Sequence, residues 1–342
     1  MSGRPRSLLV CPGIGSYGPG SLGSLPADHP AVQAAEHIRV EYGLEPLLSL
    51  DAAAQFDPSR HLRPANAAAL TFMATLLDAE RAMADHRLVA IAGTSLGWFS
   101  ALGIAAALPF EDAFRLMQEV ALLREQAAAD PSAGGQVIYP LAGPDWRRSP
   151  DLEAAVIDVM ADAGAGERQV FASIDLGSFA VLAGDGPGVA RLVERLPGVK
   201  AGTRDYPLRL ALQGPDHTPL AEPLAEIAAD RLAGLRWREP ATTLIDGRGA
   251  RWTPWATDPA ALRDYTLGAH LTEPYLFAAS VRVALREYAP ELVVLAGPGA
   301  SLGSIVGSLV VAEGYRGLRS RAAFEAAQHS SQPVVLSMGG TA

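Results

Sequence analysis

The sequence predicts an α/β protein: a large, hydrolase-like subdomain on a mostly parallel sheet, with a small ferredoxin-like subdomain inserted in it. Short apolar runs, Leu8 to Cys11, Leu88 to Ala92 and Leu292 to Ala296, end abruptly in glycine-rich loops. Strands buried on both faces read this way. Alanine-rich segments of helical spacing alternate with them, which covers a parallel sheet with helices. From Gly135 onward the texture changes to two β-α-β units within about 70 residues, the pattern of a ferredoxin-like insert. The large subdomain is therefore assigned to 1–134 and 209–342 and the small one to 135–208.

Taken in order, Leu8 to Cys11 is a buried strand and Pro12 to Gly20 a glycine-dense loop that can bring backbone N–H groups to a ligand. That loop suits a phosphate cradle or an oxyanion donor. No Gly-Lys-[Ser/Thr] follows it, which argues against a P-loop. Helices are expected at Pro30 to Gly43, Arg63 to His86 and Ser100 to Ala129. In the insert, Val137 to Ala142, Gln169 to Ile174, Phe179 to Ala183 and Ala201 to Leu208 read as strands, with helices at Asp151 to Ala163 and Gly188 to Leu196. Helical spacing returns at Thr218 to Ala233 and Thr272 to Tyr288, with strands at Ala241 to Ile245 and Glu291 to Gly297, and Val334 to Leu336 as a candidate edge strand.

With 49% hydrophobic and 19% charged residues in 342, the chain carries enough apolar mass for a large core and is neither disordered nor fibrous. Its single cysteine, Cys11, excludes an internal disulfide framework and a cysteine-based zinc cluster, and no metal site is expected. The apolar run before Pro12 is too short for a signal peptide, and no stretch reaches the ~18–20 residues of a spanning helix. A cytoplasmic protein without a membrane partner is expected. A net charge of -9 argues against nucleic acid, which needs clustered basic residues.

The chemistry centres on Gly93-Thr94-Ser95-Leu96-Gly97. A strand, Gly-x-Ser-x-Gly and a helix together make a nucleophile elbow, in which a strained turn exposes the serine hydroxyl at the strand's carboxyl end. The glycines let neighbouring backbone pass close by, and the N-terminus of the next helix offers free N–H groups to an oxyanion.

Six segments in series carry a resemblance. Pro12-Gly-Ile-Gly-Ser16, Gly93 to Gly97, Asp175 to Gly184, Gly214-Pro-Asp-His-Thr-Pro-Leu220, Leu271-Thr-Glu-Pro274 and Val294-Leu-Ala-Gly-Pro-Gly299 resemble, in order and with similar spacing, motifs of the malonyl-CoA:acyl-carrier-protein transacylases. That family includes the acyltransferase domains of polyketide synthases. The resemblance implies Ser95 as nucleophile, His217 as its general base, the backbone N–H groups of Ile14 and Leu96 as oxyanion donors, and the main-chain carbonyl of His270 as the group orienting His217. Serine is a poor nucleophile unaided, so an imidazole must take its proton and return it to the leaving thiol.

Several positions depart from the family pattern, and all are candidate pocket residues. Counting from Ser95 without gaps, the family's carboxylate-binding arginine falls on Val120. Arg124 reads as a solvated or salt-bridged helix residue; a role in binding a carboxylate would need a helix shift of about 5.4 Å. Thr94 replaces a histidine, Trp98 an acidic residue and Arg63 a glutamine, and Asp216 gives a Gly-Pro-Asp-His that matches neither tetrapeptide of malonyl or methylmalonyl selection. A closed pocket without a cation disfavours a carboxylated acyl group by several kcal/mol.

The expectation is a stand-alone acyltransferase of polyketide or related secondary metabolism. It would move a non-carboxylated acyl group between acyl-carrier protein, coenzyme A, or both, through acyl-Ser95. No cofactor is expected beyond the phosphopantetheine thioester arm of the substrate. Arg147, Arg148, Arg204 and Arg209 are candidates for docking the acidic carrier. The alternatives are a hydrolase that clears misloaded carriers, a malonyl transferase using Arg124, and a non-catalytic carrier-binding protein.

Overall fold

The apolar run Leu8 to Cys11 is wholly buried because it lies in the middle of a six-stranded sheet. The computed structural model describes residues 3–128, 130, 134–163, 169–211 and 213–339. In chain order its first elements are β1 (Arg6–Cys11), α1 (Pro30–Glu41), α2 (Leu47–Asp51), α3 (Pro58–His61), α4 (Pro64–Asp85), β2 (Arg87–Gly93), α5 (Leu96–Ile104) and α6 (Phe110–Ala128). Next come β3 (Gly135–Pro140), α7 (Pro150–Ala163), β4 (Val170–Asp175), β5 (Phe179–Gly184), α8 (Gly186–Arg195), β6 (Val199–Ala201), β7 (Arg204–Tyr206) and β8 (Leu208–Arg209). The chain continues through α9 (Glu222–Arg231), β9 (Leu244–Ile245), β10 (Arg251–Trp252), α10 (Pro259–Leu267), α11 (Ala269–Thr272) and α12 (Phe277–Val283). It closes with β11 (Leu292–Leu295), α13 (Gly303–Ala312), α14 (Arg321–Gln328) and β12 (Val335–Ser337).

The large sheet runs β10-β9-β2-β1-β11-β12, parallel throughout except for the β9–β10 pair. Alternate residues of β1 face opposite sides: Leu9 and Cys11 join a core with α4, α5 and α6, whereas Leu8 and Val10 join one with α12 and α13. The expected edge strand at Val334 to Leu336 is β12, paired parallel with β11. The small sheet runs β4-β5-β3-β8 with every pairing antiparallel, the strand order of a ferredoxin-like unit. Its Val137, Tyr139 and Leu182 pack with Val156, Val189 and Leu192 of α7 and α8. On the other face, Ile174 and Val181 share a core with Tyr275, Phe277, Ile305 and Leu309, so the two sheets are joined through apolar contact.

Three expectations are corrected. The helix expected from Ser100 to Ala129 is two helices, α5 and α6: Ala106 takes a left-handed φ of 54° after α5, and Pro109 disfavours helical geometry in the residue before it. Ala129 itself lies outside the described residues, as do 131–133 at the expected subdomain boundary and 340–342 of the tail. The strand expected from Ala201 to Leu208 turns at Gly202 (φ 60°), so that β6 and β7 form a hairpin and only β8 joins the small sheet. The helix expected from Thr272 to Tyr288 starts at Phe277, because Glu273, which precedes Pro274, is extended (φ -114°, ψ 155°). Tyr275 instead forms a parallel bridge with Ile174 of the small sheet.

Candidate active site

The end of β2 and the start of α5 leave no room for side chains where they cross β1. A Cβ on Gly97 would stand 2.2 Å from the Cys11 carbonyl oxygen, and one on Gly93 would stand 2.2 Å from the Gly97 carbonyl carbon. Two glycines therefore let β2 turn sharply into α5. Ser95 occupies the turn with φ 52° and ψ -109°, a conformation that side-chain-bearing residues rarely adopt. Its hydroxyl is presented at the carboxyl end of the strand, 8% exposed. Leu96 opens α5, so its N–H has no acceptor within the helix. The loop carrying Ile14 lies against the same turn: a Cβ on Gly13 would come within 3.0 Å of the Thr94 carbonyl oxygen.

His217 meets this turn from a segment far along the chain. Its Nε2 lies 2.8 Å from Ser95 Oγ, and its Nδ1 lies 2.6 Å from the carbonyl oxygen of His270. A carbonyl can only accept, so Nδ1 carries the proton and Nε2 is left with a lone pair for the serine hydroxyl. His217 also has a left-handed φ of 58°, held by its N–H donating to the Leu271 carbonyl at 2.8 Å. The preceding carbonyl, that of Asp216, accepts from Ser173 Oγ at 2.7 Å and from Gln136 Nε2 at 3.4 Å. Strands β3 and β4 of the small sheet thereby hold the histidine segment against the large one. Tyr275 reinforces the join: its N–H donates to the Ser173 carbonyl at 2.8 Å, and its hydroxyl donates to the Gly93 carbonyl at 2.7 Å.

Burial pushes the His217 imidazole down to about 4; Asp216 opposes the shift, Arg124 adds to it, and the bond to the His270 carbonyl opposes it. His217 is therefore a neutral base at ordinary pH. An acylation kcat/KM that stays flat between about pH 5.5 and 8 is expected, and an inflection near 6.5 would show a solvated histidine instead. Stability should fall as the pH drops from 6.5 toward about 4, because the unfolded chain binds the proton that the native state refuses. The His270 ring is held well below its usual range by burial, and neither of its nitrogens has a partner. Its carbonyl accepts the hydrogen bond from His217 of the dyad, and its ring packs edge-on against that of His217 at 5.3 Å between centroids.

The other singled-out residues separate into three groups. Arg124 and Asp216 are brought together: Arg124 Nε donates to Asp216 Oδ1 at 2.8 Å, with both side chains more than nine-tenths buried. This is the salt-bridged reading of Arg124, within the protein and not at its solvated surface. Trp98 and Val120 are not pocket walls. Both are fully buried in the core, the Trp98 indole N–H donating to Thr266 Oγ1 at 3.0 Å beneath the His270 ring. Arg63 is half exposed at the start of α4 and paired with Glu125. Thr94 is buried at the turn, and its hydroxyl has no partner. Of the four arginines considered for docking, Arg147 lies 3.7 Å from Asp145, Arg148 pairs with Glu153 and donates to the Gly177 carbonyl at 2.6 Å, and Arg204 and Arg209 are exposed. A cavity of about 220 Å³, lined by Leu76, Met83, Ile104 and Phe110, lies elsewhere, and none of the dyad lines it.

Gln136, Ser173 and Tyr275 were not singled out from the sequence. The one signal was local: Tyr275 directly follows Leu271-Thr-Glu-Pro274, and its partners lie more than 90 residues away.

No family model matches the chain. Among curated proteins, it is 27% identical over 278 residues to the malonyl CoA-acyl carrier protein transacylase of Salmonella typhimurium, covering 80% of this chain and 83% of that protein. Among solved structures, the malonyl-CoA:acyl carrier protein transacylase of Xanthomonas oryzae aligns with a TM-score of 0.70 at 26% identity, over 90% of this chain and 92% of that one. The fold is that of the malonyl-CoA:acyl carrier protein transacylases. A malonyl-transacylase solved in complex with its type II polyketide synthase acyl-carrier protein has the same fold, with a TM-score of 0.73 at 20% identity over 98% of this chain and 96% of that one. The relatives are acyltransferases, and the Ser95–His217 dyad is consistent with theirs. Among the described residues, no helix is long and apolar enough to cross a membrane.

Proposed function

We propose that the chain is an acyltransferase that moves a non-carboxylated acyl group between thioesters of acyl-carrier protein and coenzyme A through acyl-Ser95, in the cytoplasm and in polyketide or related secondary metabolism. The 2.8 Å contact between Ser95 Oγ and a correctly protonated His217 carries this reading. His217 Nε2 takes the hydroxyl proton as Oγ attacks the thioester carbonyl. The N–H groups of Ile14 and Leu96 face the developing oxyanion, a donor pair worth on the order of 10²–10³ in rate per donor. Collapse of the tetrahedral adduct breaks the C–S bond, and His217 returns the proton to the departing thiolate. The acceptor thiol then repeats these steps in reverse.

The acyl preference is argued from charge. Counting without gaps from Ser95, the family's carboxylate-binding cation falls on Val120, which is wholly buried among apolar side chains, and Arg124 is already paired with Asp216. An acidic carrier would dock on exposed arginines, with Arg147, Arg148, Arg204 and Arg209 as candidates. Intact-protein mass spectrometry after incubation with acetyl-, longer acyl- and malonyl-CoA provides the test. Adducts are expected from the uncharged donors, with transfer to added acyl-carrier protein rather than release as free acid. Malonyl loading alone would overturn the substrate class, and free acid alone would make the enzyme a hydrolase.

A further inference from the structure

We propose that the buried Arg124–Asp216 pair sets acyl selectivity: Asp216 occupies the guanidinium, so the site takes acyl groups without a charge and would take an anionic one if Asp216 were made neutral. The proposal deepens the acyltransferase reading above and rests on it.

Three observations carry it. Asp216 is the residue directly before His217, and its carbonyl is fixed by Ser173 and Gln136. The side chain therefore cannot swing away with its own backbone. Second, the two charges cancel: Nε and Oδ1 are 2.8 Å apart and both side chains are out of water, at 4% and 9% exposure. A substrate carboxylate brought beside them would be a third, uncompensated buried charge, the situation that proteins avoid. Third, the guanidinium retains unused capacity, since Arg124 Nη2 is buried and has no hydrogen-bond partner. A guanidinium has five N–H donors in a planar fork that fits a carboxylate. The donor for an anionic acyl group is thus already present, and the charge of Asp216 cancels its attraction. Both charges act on His217, whose proton affinity Asp216 raises and Arg124 lowers.

Acetyl- and malonyl-CoA isolate this effect, because loading is the same reaction for both. Ser95 Oγ–C forms, C–S breaks, and the serine proton passes through His217 to the coenzyme A thiolate. The donors differ only in a terminal carboxylate. Initial rates of thiol release and of Ser95 adduct formation should be measured with each donor for the wild type, Asp216→Asn, and the double variant Arg124→Gln/Asp216→Asn. The malonyl-to-acetyl ratio is expected to rise at least tenfold in Asp216→Asn. In the double variant, which has no net change in site charge and leaves no buried ion unpaired, the ratio is expected to stay within threefold of wild type. The proposal is overturned if Asp216→Asn loads acetyl but its ratio is unchanged, or if the double variant gains malonyl loading. Should Asp216→Asn fail to fold, the double variant alone still decides, since a tenfold gain there would make shape and not charge the barrier. Absence of any adduct on the wild type would instead defeat the acyltransferase reading.

Discussion

Ser95→Ala is expected to abolish the acyl adduct with every donor and to lower turnover by about 10⁴-fold or more, the scale seen when a catalytic serine is removed from a site that keeps its other parts. The substitution is clean in this structure. Alanine and serine share a Cβ, so the φ of 52° at the turn is no worse tolerated, and among the described residues the hydroxyl's one partner is His217 Nε2. The stability cost is limited to the unpaired imidazole nitrogen, about 1–3 kcal/mol. Intact mass after incubation with acetyl-CoA reads the outcome directly. An adduct that persists on the variant would place the nucleophile elsewhere and remove the basis of the functional reading.

Gly97→Ala should unfold the protein at a temperature lower by about 5 °C or more, corresponding to a loss on the order of 4 kcal/mol. The added methyl would meet Cys11 and Pro12 backbone atoms at 2.2, 2.8 and 2.9 Å, and backbone in the middle of a sheet cannot yield as a flexible side chain does. Gly18→Ala is the matched control from the glycine-rich loop: nothing lies within 4 Å of its Cβ position and its φ is -143°, so a change within about 1 kcal/mol is expected. Thermal denaturation of the two variants side by side separates a steric requirement of the turn from a general sensitivity to losing glycine. Equal midpoints would show that β1 and α5 can part without cost.

The comparison of sequence with structure divides by distance along the chain. The turn at Ser95 was legible because all its determinants, a buried run, two glycines and a helix, lie within a dozen residues. His217 and the carbonyl of His270 were legible only through the family resemblance, since nothing local distinguishes either histidine from the other five. The pairing of Arg124 with Asp216 was not legible: the partners are 92 positions apart, and each sits in a segment whose own pattern is complete without the other. Trp98 was misplaced for a related reason. It replaces an acidic residue of the family pattern, which suggested the pocket, but helical geometry points it back into the core toward Thr266 and Tyr265. The errors in element boundaries came from single residues, Pro109, Gly202 and Pro274, whose local preferences outweighed the apolar pattern around them.

The Asp216 carbonyl, gripped by Gln136 and Ser173, ties the dyad to the relative position of the two sheets. Ser95 sits just after β2 of the large sheet, whereas His217 lies in a loop tethered to both sheets. A hinge motion that swung the smaller sheet outward would drag the imidazole off the hydroxyl and switch the chemistry off. The two sheets must therefore keep their relative position for the dyad to work, and rigidity along this seam is a condition of the chemistry.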